Sequence, residues 1–185
     1  MILCGYKNTN GWAWKHDVYF YAVFSKPFTC TILADSVVSL DGKNIQPIKK
    51  ALLHFATAKD EQILVKIALS AVDKEGAQKN LTEIPGWDFE RVKADARQAW
   101  NNYLSKIDID TPDEQQKTVF YTAMYHTGIS PNLFTDIDGR YRGLDREIHT
   151  AETGKPMYTI FSLWDTFRAL HPLLTIIDPE LNTGF

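Results

Sequence analysis

Cysteine is scarce: Cys4 and Cys30 are the only two in 185 residues. No Cys-x-x-Cys pair or Cys/His cluster is present, so a structural zinc site is not indicated. Both cysteines sit in apolar, strand-like surroundings and read as buried free thiols. A disulfide between neighbouring strands stays open for an exported protein. An excess of charge of one sign is also lacking. The net charge is -3 and Lys and Arg are scattered, so neither nucleic acid nor an anionic membrane surface is indicated as a partner. No apolar run approaches the ~20 residues of a membrane span. Met1 leads into Ile-Leu-Cys-Gly-Tyr6 without a basic segment, so no signal peptide is read. Internal repeats, low-complexity tracts and a glycine-rich phosphate loop are missing. His16, His54, His126, His149 and His171 are dispersed and form neither a zinc-protease nor a Ser-His-Asp spacing. His126, beside Tyr125, reads as a packed, hydrogen-bonded residue. What remains has the composition of an ordinary globular protein, one domain or two small ones.

The chain up to about Ala71 reads as β. Val18 to Phe24 is apolar on both faces, as a central strand requires. Pro27 limits ladder pairing nearby. Asp41-Gly42 reads as a hairpin turn, and Leu52 to Ala56 as another strand. Ile63, Val65, Ile67 and Leu69 alternate with Leu64, Lys66, Ala68 and Ser70, which predicts a strand with one wetter face. Short strands separated by turn signals point to a β-sandwich. The set is small for a complete one, so further strands are expected on its N-terminal side.

Helical signals take over after Val72. Asp73 to Asn80 predicts a short helix, punctuated by Pro85-Gly86. Asp88 can cap a helix running to about Leu104, with Phe89, Val92, Ala96, Trp100 and Tyr103 on one stripe. Lys106 to Ile109 reads as a short strand. Thr111-Pro-Asp-Glu114 predicts a helix start with Thr111 as cap, and Gly128 predicts its end. That helix carries Val119, Phe120, Ala123, Met124 and Thr127. Residues 129–157 are turn-rich, with Asp138-Gly139 as a hairpin turn. A last, buried helix is expected from Ser162, bent around Pro172, with Leu163, Phe167, Leu170, Leu174 and Ile177 as its apolar stripe.

The start of that last helix carries Trp164, Asp165 and Arg168. A planar aromatic, a carboxylate and a guanidinium suit a sugar, whose C–H face stacks on the ring and whose hydroxyls meet the charged groups. Each has a plainer reading. Ser162-Leu-Trp-Asp165 has capping-box spacing, so Asp165 could close the helix N-terminus. Trp164 could be a packing residue. Arg168 could pair with Asp165 three residues back. Asp136-x-Asp138 with Glu147 at the twelfth position invites a calcium-loop reading, but Arg140 and Tyr141 stand where a ligand and a glycine are needed. Asn80-Leu-Thr82 matches a glycosylation acceptor, relevant in a eukaryotic secretory setting.

The run Phe161-Ser-Leu-Trp-Asp-Thr-Phe-Arg-Ala-Leu-His-Pro-Leu173 resembles a signature of the α-1,2-mannosidase-like glycoside hydrolases of family 92. Phe24-Ser-Lys-Pro-Phe28 resembles the family's sandwich strand. Leu81 to Phe89 with Trp100-Asn101 resembles its interdomain linker. Phe120-Tyr-Thr-Ala-Met-Tyr-His126, Pro131-Asn-Leu-Phe134 and Asp136-Ile-Asp-Gly-Arg-Tyr-Arg-Gly143 resemble the opening of its catalytic domain.

The resemblance implies an α+β fragment: residues 1–84 as the end of an N-terminal β-sandwich, 85–110 as a helical linker, and 111–185 as the first helices of an (α/α)6 barrel. It implies a calcium-dependent exo-α-mannosidase that inverts the anomeric centre, and export of the whole protein to the periplasm, cell surface or medium. Inversion needs a general acid and a general base about 6.5–9.5 Å apart. Those groups and the calcium ligands are expected outside this chain, which is assigned no catalytic residue and no metal ligand. Trp164 and Asp165, with Arg168 secondary, are expected to bind the terminal mannose of an α-mannoside glycan. Two other functions fit the same residues: a carbohydrate-binding protein without catalysis, and a related sandwich-plus-barrel glycoside phosphorylase. Apolar surface on the last helix predicts marginal stability or self-association of the chain alone.

Overall fold

Strand β2 (His16–Phe24) is the middle of a three-stranded antiparallel sheet, between β1 (Ile2–Thr9) and β5 (Val65–Ser70). The computed structural model describes residues 1–11, 15–35 and 48–184. Tyr21 pairs with Cys4 on one side and Ala68 on the other, so β2 has neighbours along both edges, as its two-sided apolar sequence predicts. A separate antiparallel pair joins β3 (Thr29–Asp35) to β4 (Ile48–His54). The strand expected at Leu52–Ala56 therefore starts earlier and ends at His54. The hairpin turn expected at Asp41-Gly42 lies outside the described residues. Phe24, Phe28 and Phe55 form an aromatic cluster with ring centroids 5.1–5.6 Å apart.

Helix α1 (Lys74–Asn80) packs on the sheet, over β5, β2 and β1. Asp73 caps it by accepting from the Gly76 amide at 2.6 Å. Val72 just before it and Ala77 on its inner face are fully buried. The register puts Lys66, Ala68 and Ser70 on the face with Tyr19, Tyr21 and Val23, and Ser70 at its end is buried. Lys66 stays there because its Nζ donates to the Ile84 carbonyl at 3.0 Å and lies 4.8 Å from the Trp87 ring centre. The wetter face of β5 is thus the apolar one: Val65, Ile67 and Leu69 are exposed. The cysteines also depart from expectation. Cys4 and Cys30 lie on strands, but both are exposed free thiols in separate sheets.

Helix α2 (Phe89–Leu104) begins where Asp88 predicts, with that carboxylate accepting from the Arg91 amide at 2.9 Å. Helix α3 (Glu114–Thr127) is capped by Asp113 instead of Thr111: its Oδ1 accepts from the Gln115 and Gln116 amides. Thr111 acts one step earlier, its Oγ1 accepting from the Asp113 amide at 3.2 Å. The two helices meet at their C-terminal ends. Trp100 and Tyr125 lie 4.5 Å apart, and the Tyr103 hydroxyl is 2.9 Å from Thr127 Oγ1. Gly128 permits this approach, since a Cβ there would stand 2.8 Å from the Tyr103 ring. His126 is exposed beside Tyr125. Lys106 to Ile109 forms no strand. No partner strand runs beside it among the described residues, and the Ile107 carbonyl accepts from the Tyr121 hydroxyl.

A two-stranded hairpin follows, β6 (Arg140–Arg142) with β7 (Ile148–Thr150). Its turn spans Gly143 to Glu147, closed by the Gly143 amide on the Glu147 carbonyl. Asp138-Gly139 is instead the turn entering β6: the Gly139 amide donates to the Asp136 carbonyl at 2.8 Å with φ at +84°. The C-terminal segment is three short helices: α4 (Leu163–Thr166), α5 (Leu170–Ile177) and α6 (Pro179–Gly184). The break between α4 and α5 falls at 167–169, one turn before Pro172, because proline offers no amide to the carbonyl four residues earlier and crowds it. The expected stripe is only partly buried. Leu174 is 2% exposed, whereas Leu163 and Phe167 face solvent. This α+β arrangement of antiparallel sheets and helices matches the coarse expectation from the sequence.

Candidate functional site

Two features merit chemical reading: a buried polar clasp joining the sheet to the hairpin, and the exposed α4 turn beyond it. The clasp begins at β6. Arg140 and Arg142 are two apart on one strand and so share a face. Arg142 donates to the carbonyls of Ala71, Val72 and Arg146, each at 2.8 Å. Arg140 donates from Nη1 to Asp73 Oδ2 at 2.7 Å and from Nε to Asp138 Oδ2 at 2.9 Å. Lys79 reaches the same Asp138 oxygen at 3.1 Å. The Arg140 hydrogen bond holds the Asp73 carboxyl below its ordinary range. At Asp138 burial pushes upward, but the bonds from Arg140 and Lys79 outweigh it and the carboxyl is also held low.

Asp136, 5% exposed, sits at the centre. Its Oδ2 accepts from the Ser70 hydroxyl at 2.7 Å and its Oδ1 from the Asn80 amide at 2.7 Å. Asn80 also donates to the Leu69 carbonyl and accepts from the Ile137 amide, both at 2.8 Å. The glycosylation-like Asn80-Leu-Thr82 motif is therefore spent on internal bonds. Asp136 and Asp138 likewise serve protein donors, and Glu147 is exposed at the end of the β6–β7 turn. Among the described residues no group of three His, Cys, Asp or Glu side chains could hold a metal ion.

From the clasp the chain runs to α4. Residues 132–135 pair with 157–159 through an antiparallel bridge between Leu133 and Tyr158. Three residues on, Ser162 starts α4. Its carbonyl accepts from the Asp165 and Thr166 amides at 3.0 and 3.2 Å, but its side chain makes no capping bond. Asp165 does not close the helix start either, and among the described residues its carboxylate makes no hydrogen bond or ion pair. The expected ion pair to Arg168 is not formed. Arg168 lies at the break after α4, where the i+3 geometry is lost, and its guanidinium sits 5.5 Å from the Phe167 ring centre. Trp164 is 88% exposed, which excludes a packing role within the described residues. Trp164 and Asp165 are thus consecutive, exposed residues of one helical turn, and Arg168 follows at the break after it. A cleft of about 320 Å³ between β5 and residues 133–135 is lined by Ile67, Leu69, Asn80, Glu83, Ile84 and Thr135. It belongs to the clasp region, and none of the three sugar candidates lines it.

The clasp was not anticipated from sequence, since most of its bonds join residues 56–71 positions apart. The available signal was the Arg-x-Arg spacing, which on a strand aims two guanidinium groups at one face.

Residues 76–185 match the glycosyl hydrolase family 92 catalytic domain. The chain belongs to that family. A family GH92 α-mannosidase from Bacteroides thetaiotaomicron superposes with a TM-score of 0.88 at 37% identity, covering 100% of this chain and 26% of its own. The same enzyme has been solved in complex with mannoimidazole. A family GH92 inverting mannosidase from that bacterium gives 0.77 at 26% identity, covering 94% of this chain and 24% of its own. An uncharacterized secreted glycosidase of Arthroderma benhamiae is 38% identical over 80 residues, 40% of this chain and 10% of that protein. The chain therefore spans about a quarter of the length of the solved relatives. No helix among the described residues is long and apolar enough to cross a membrane.

Proposed function

We propose that this chain is the recognition part of a longer, calcium-dependent, inverting exo-α-mannosidase acting on α-1,2-linked mannose of glycans. The observation that carries the reading is the α4 turn, where an indole 88% exposed adjoins a carboxylate with no partner among the described residues. Such a pair matches the two kinds of surface a pyranose offers. The C–H face stacks on Trp164, and the Asp165 oxygens accept from ring hydroxyls. Arg168 can swing from the Phe167 ring to add donors. Family membership supports hydrolysis as the reaction. In an inverting reaction one carboxyl protonates the leaving oxygen while a second activates water. We assign neither to this chain, and we place the calcium ligands outside it. We further propose residues 1–84 as part of a β-sandwich, 85–110 as linker and 111–185 as the start of an (α/α)6 barrel. Kinship with a secreted glycosidase supports export of the whole protein.

The test is mannose release from α-1,2-mannobioside by the full-length protein, with and without calcium. Release that needs calcium is expected. Asp165→Asn should lower kcat/KM by about ten- to a hundredfold, the worth of a hydrogen bond to a charged group. Trp164→Ala should act similarly. The 185-residue chain alone should release nothing, and turnover by it would overthrow the assignment of acid and base to other segments. No release from a folded full-length protein, over several linkages, would transfer the reading to a carbohydrate-binding protein.

A further inference from the structure

The buried clasp does more than fasten the hairpin, because the segment it holds leads directly to the α4 turn. We infer that Gly76 and Asp136 are positioning residues for the sugar subsite, fixing the Trp164–Asp165 turn against the β-sheet. The inference rests on the sugar-binding reading of that turn.

Asp136 is held by donors that cannot exchange roles. Ser70 Oγ already accepts from the Val72 and Asp73 amides at 2.9 and 3.3 Å, so its proton is left for Asp136. Asn80 uses both amide hydrogens, on Leu69 and Asp136, and its oxygen faces the Ile137 amide. Both Asp136 oxygens must therefore accept, which an amide in that place could not reproduce. Gly76 creates the room. A Cβ there would stand 2.1 Å from Asp136 Oδ2 and 2.7 Å from Ser70 Oγ. Glycine disfavours a helix interior, and the close carboxylate accounts for its presence within α1.

Asp136 is continuous with Thr135, and a ladder follows. The Phe134 amide donates to the Met157 carbonyl at 2.8 Å, and the Met157 amide to Thr135 Oγ1 at 2.6 Å. The Thr159 amide donates to the Asn132 carbonyl, and the Asn132 amide to Thr159 Oγ1, both at 2.8 Å. Ser162, whose carbonyl holds the Asp165 amide, lies three residues further. Every step from Gly76 to Asp165 is a steric contact, a hydrogen bond or a few residues of chain. A binding geometry is only as fixed as the shell that supports it.

The test uses the full-length protein and the variants Gly76→Ala, Asp136→Asn and Ser70→Ala. Hydrogen exchange is read in peptides spanning 132–135, 136–150, 157–166 and β1–β2, beside kinetics on α-1,2-mannobioside. The expected result is exchange in 157–166 faster by about tenfold or more with β1–β2 nearly unchanged. KM should rise about tenfold while kcat stays within about twofold, a split that a merely destabilised protein would not give. Unchanged exchange in 157–166 with unchanged KM, in folded variants whose 136–150 hairpin has loosened, overturns the inference. If Gly76→Ala and Asp136→Asn fail to fold, Ser70→Ala, which deletes one hydroxyl, decides by the same readouts. If the parent releases no mannose, the functional reading fails, and the exchange result still decides whether the clasp positions the turn.

Discussion

Arg140 bridges two carboxylates that face the sheet from different segments, Asp73 at the head of α1 and Asp138 in the turn before β6. Both carboxyls are held below their ordinary range, Asp73 first by the Arg140 hydrogen bond and Asp138 by Arg140 and Lys79 against the push of burial. A depressed carboxyl adds stability that is complete above its unfolded value, about 3.9, and disappears as pH falls through the folded value. Thermal melts of the parent should therefore decline as pH drops from about 4 toward 2, and Arg140→Met should flatten that decline. Arg140→Met should also cost about 1–2 kcal/mol near neutral pH in urea titration, at the low end for charged hydrogen bonds because Asp73 is over a third exposed. The cysteines belong to the same scale. Cys4 and Cys30 are both exposed, so both should react with a thiol reagent in the native protein at rates close to those in denaturant. Protection of either would contradict the strand faces assigned to them.

Local chemistry written within a few residues was readable, and chemistry spread along the chain was not. Asp88 as the α2 cap, Asp73 at the head of α1 and Gly128 at the end of α3 could be read because the donors or acceptors lie within four residues. At α3 the sequence predicts Thr111 as the cap, and Asp113 two positions on takes that role. The carboxylate prevails because it reaches two amides, while the threonine hydroxyl is drawn to the Asp113 amide. Asp113→Ala should accordingly cost about 1 kcal/mol and Thr111→Ala only a few tenths, measured by chemical denaturation. The Lys106–Ile109 strand failed for a different reason: propensity supplies no partner, and a strand without one leaves its backbone unpaired. In the candidate site, Trp164 and Asp165 are proposed from residue type and motif. The support beneath them could not be found that way, since Ser70 meets Asp136 across 66 positions.

Across the molecule, apolar faces are left open in a consistent pattern. Val65, Ile67 and Leu69 line one face of β5, and Leu163, Phe167 and Ile176 line the C-terminal helices. The chain covers 26% of a solved relative's length at a TM-score of 0.88, so a fold of this shape is one part of that larger structure. Exposed apolar area of this kind drives association in water. The isolated chain should sediment as oligomers at micromolar concentration and melt over a broad range. Leu163→Glu together with Ile176→Glu should shift it toward the monomer. A monodisperse monomer with a sharp melt would show that these faces are tolerated alone.

Asn80 has a practical bearing on how the protein is made. Its side chain commits both amide hydrogens and its oxygen to the folded clasp. Asn80-Leu-Thr82 is nonetheless an acceptor sequence that a eukaryotic secretory pathway can modify while the chain is still being threaded into the lumen. An oligosaccharide on that nitrogen replaces one of the committed hydrogens with a bulky polar group. A yeast or insect-cell secretion system is then expected to produce chains in which either Asp136 or the Leu69 carbonyl loses the Asn80 donor. Bacterial production leaves the nitrogen bare, so the choice of host decides whether the purified material contains the native joint.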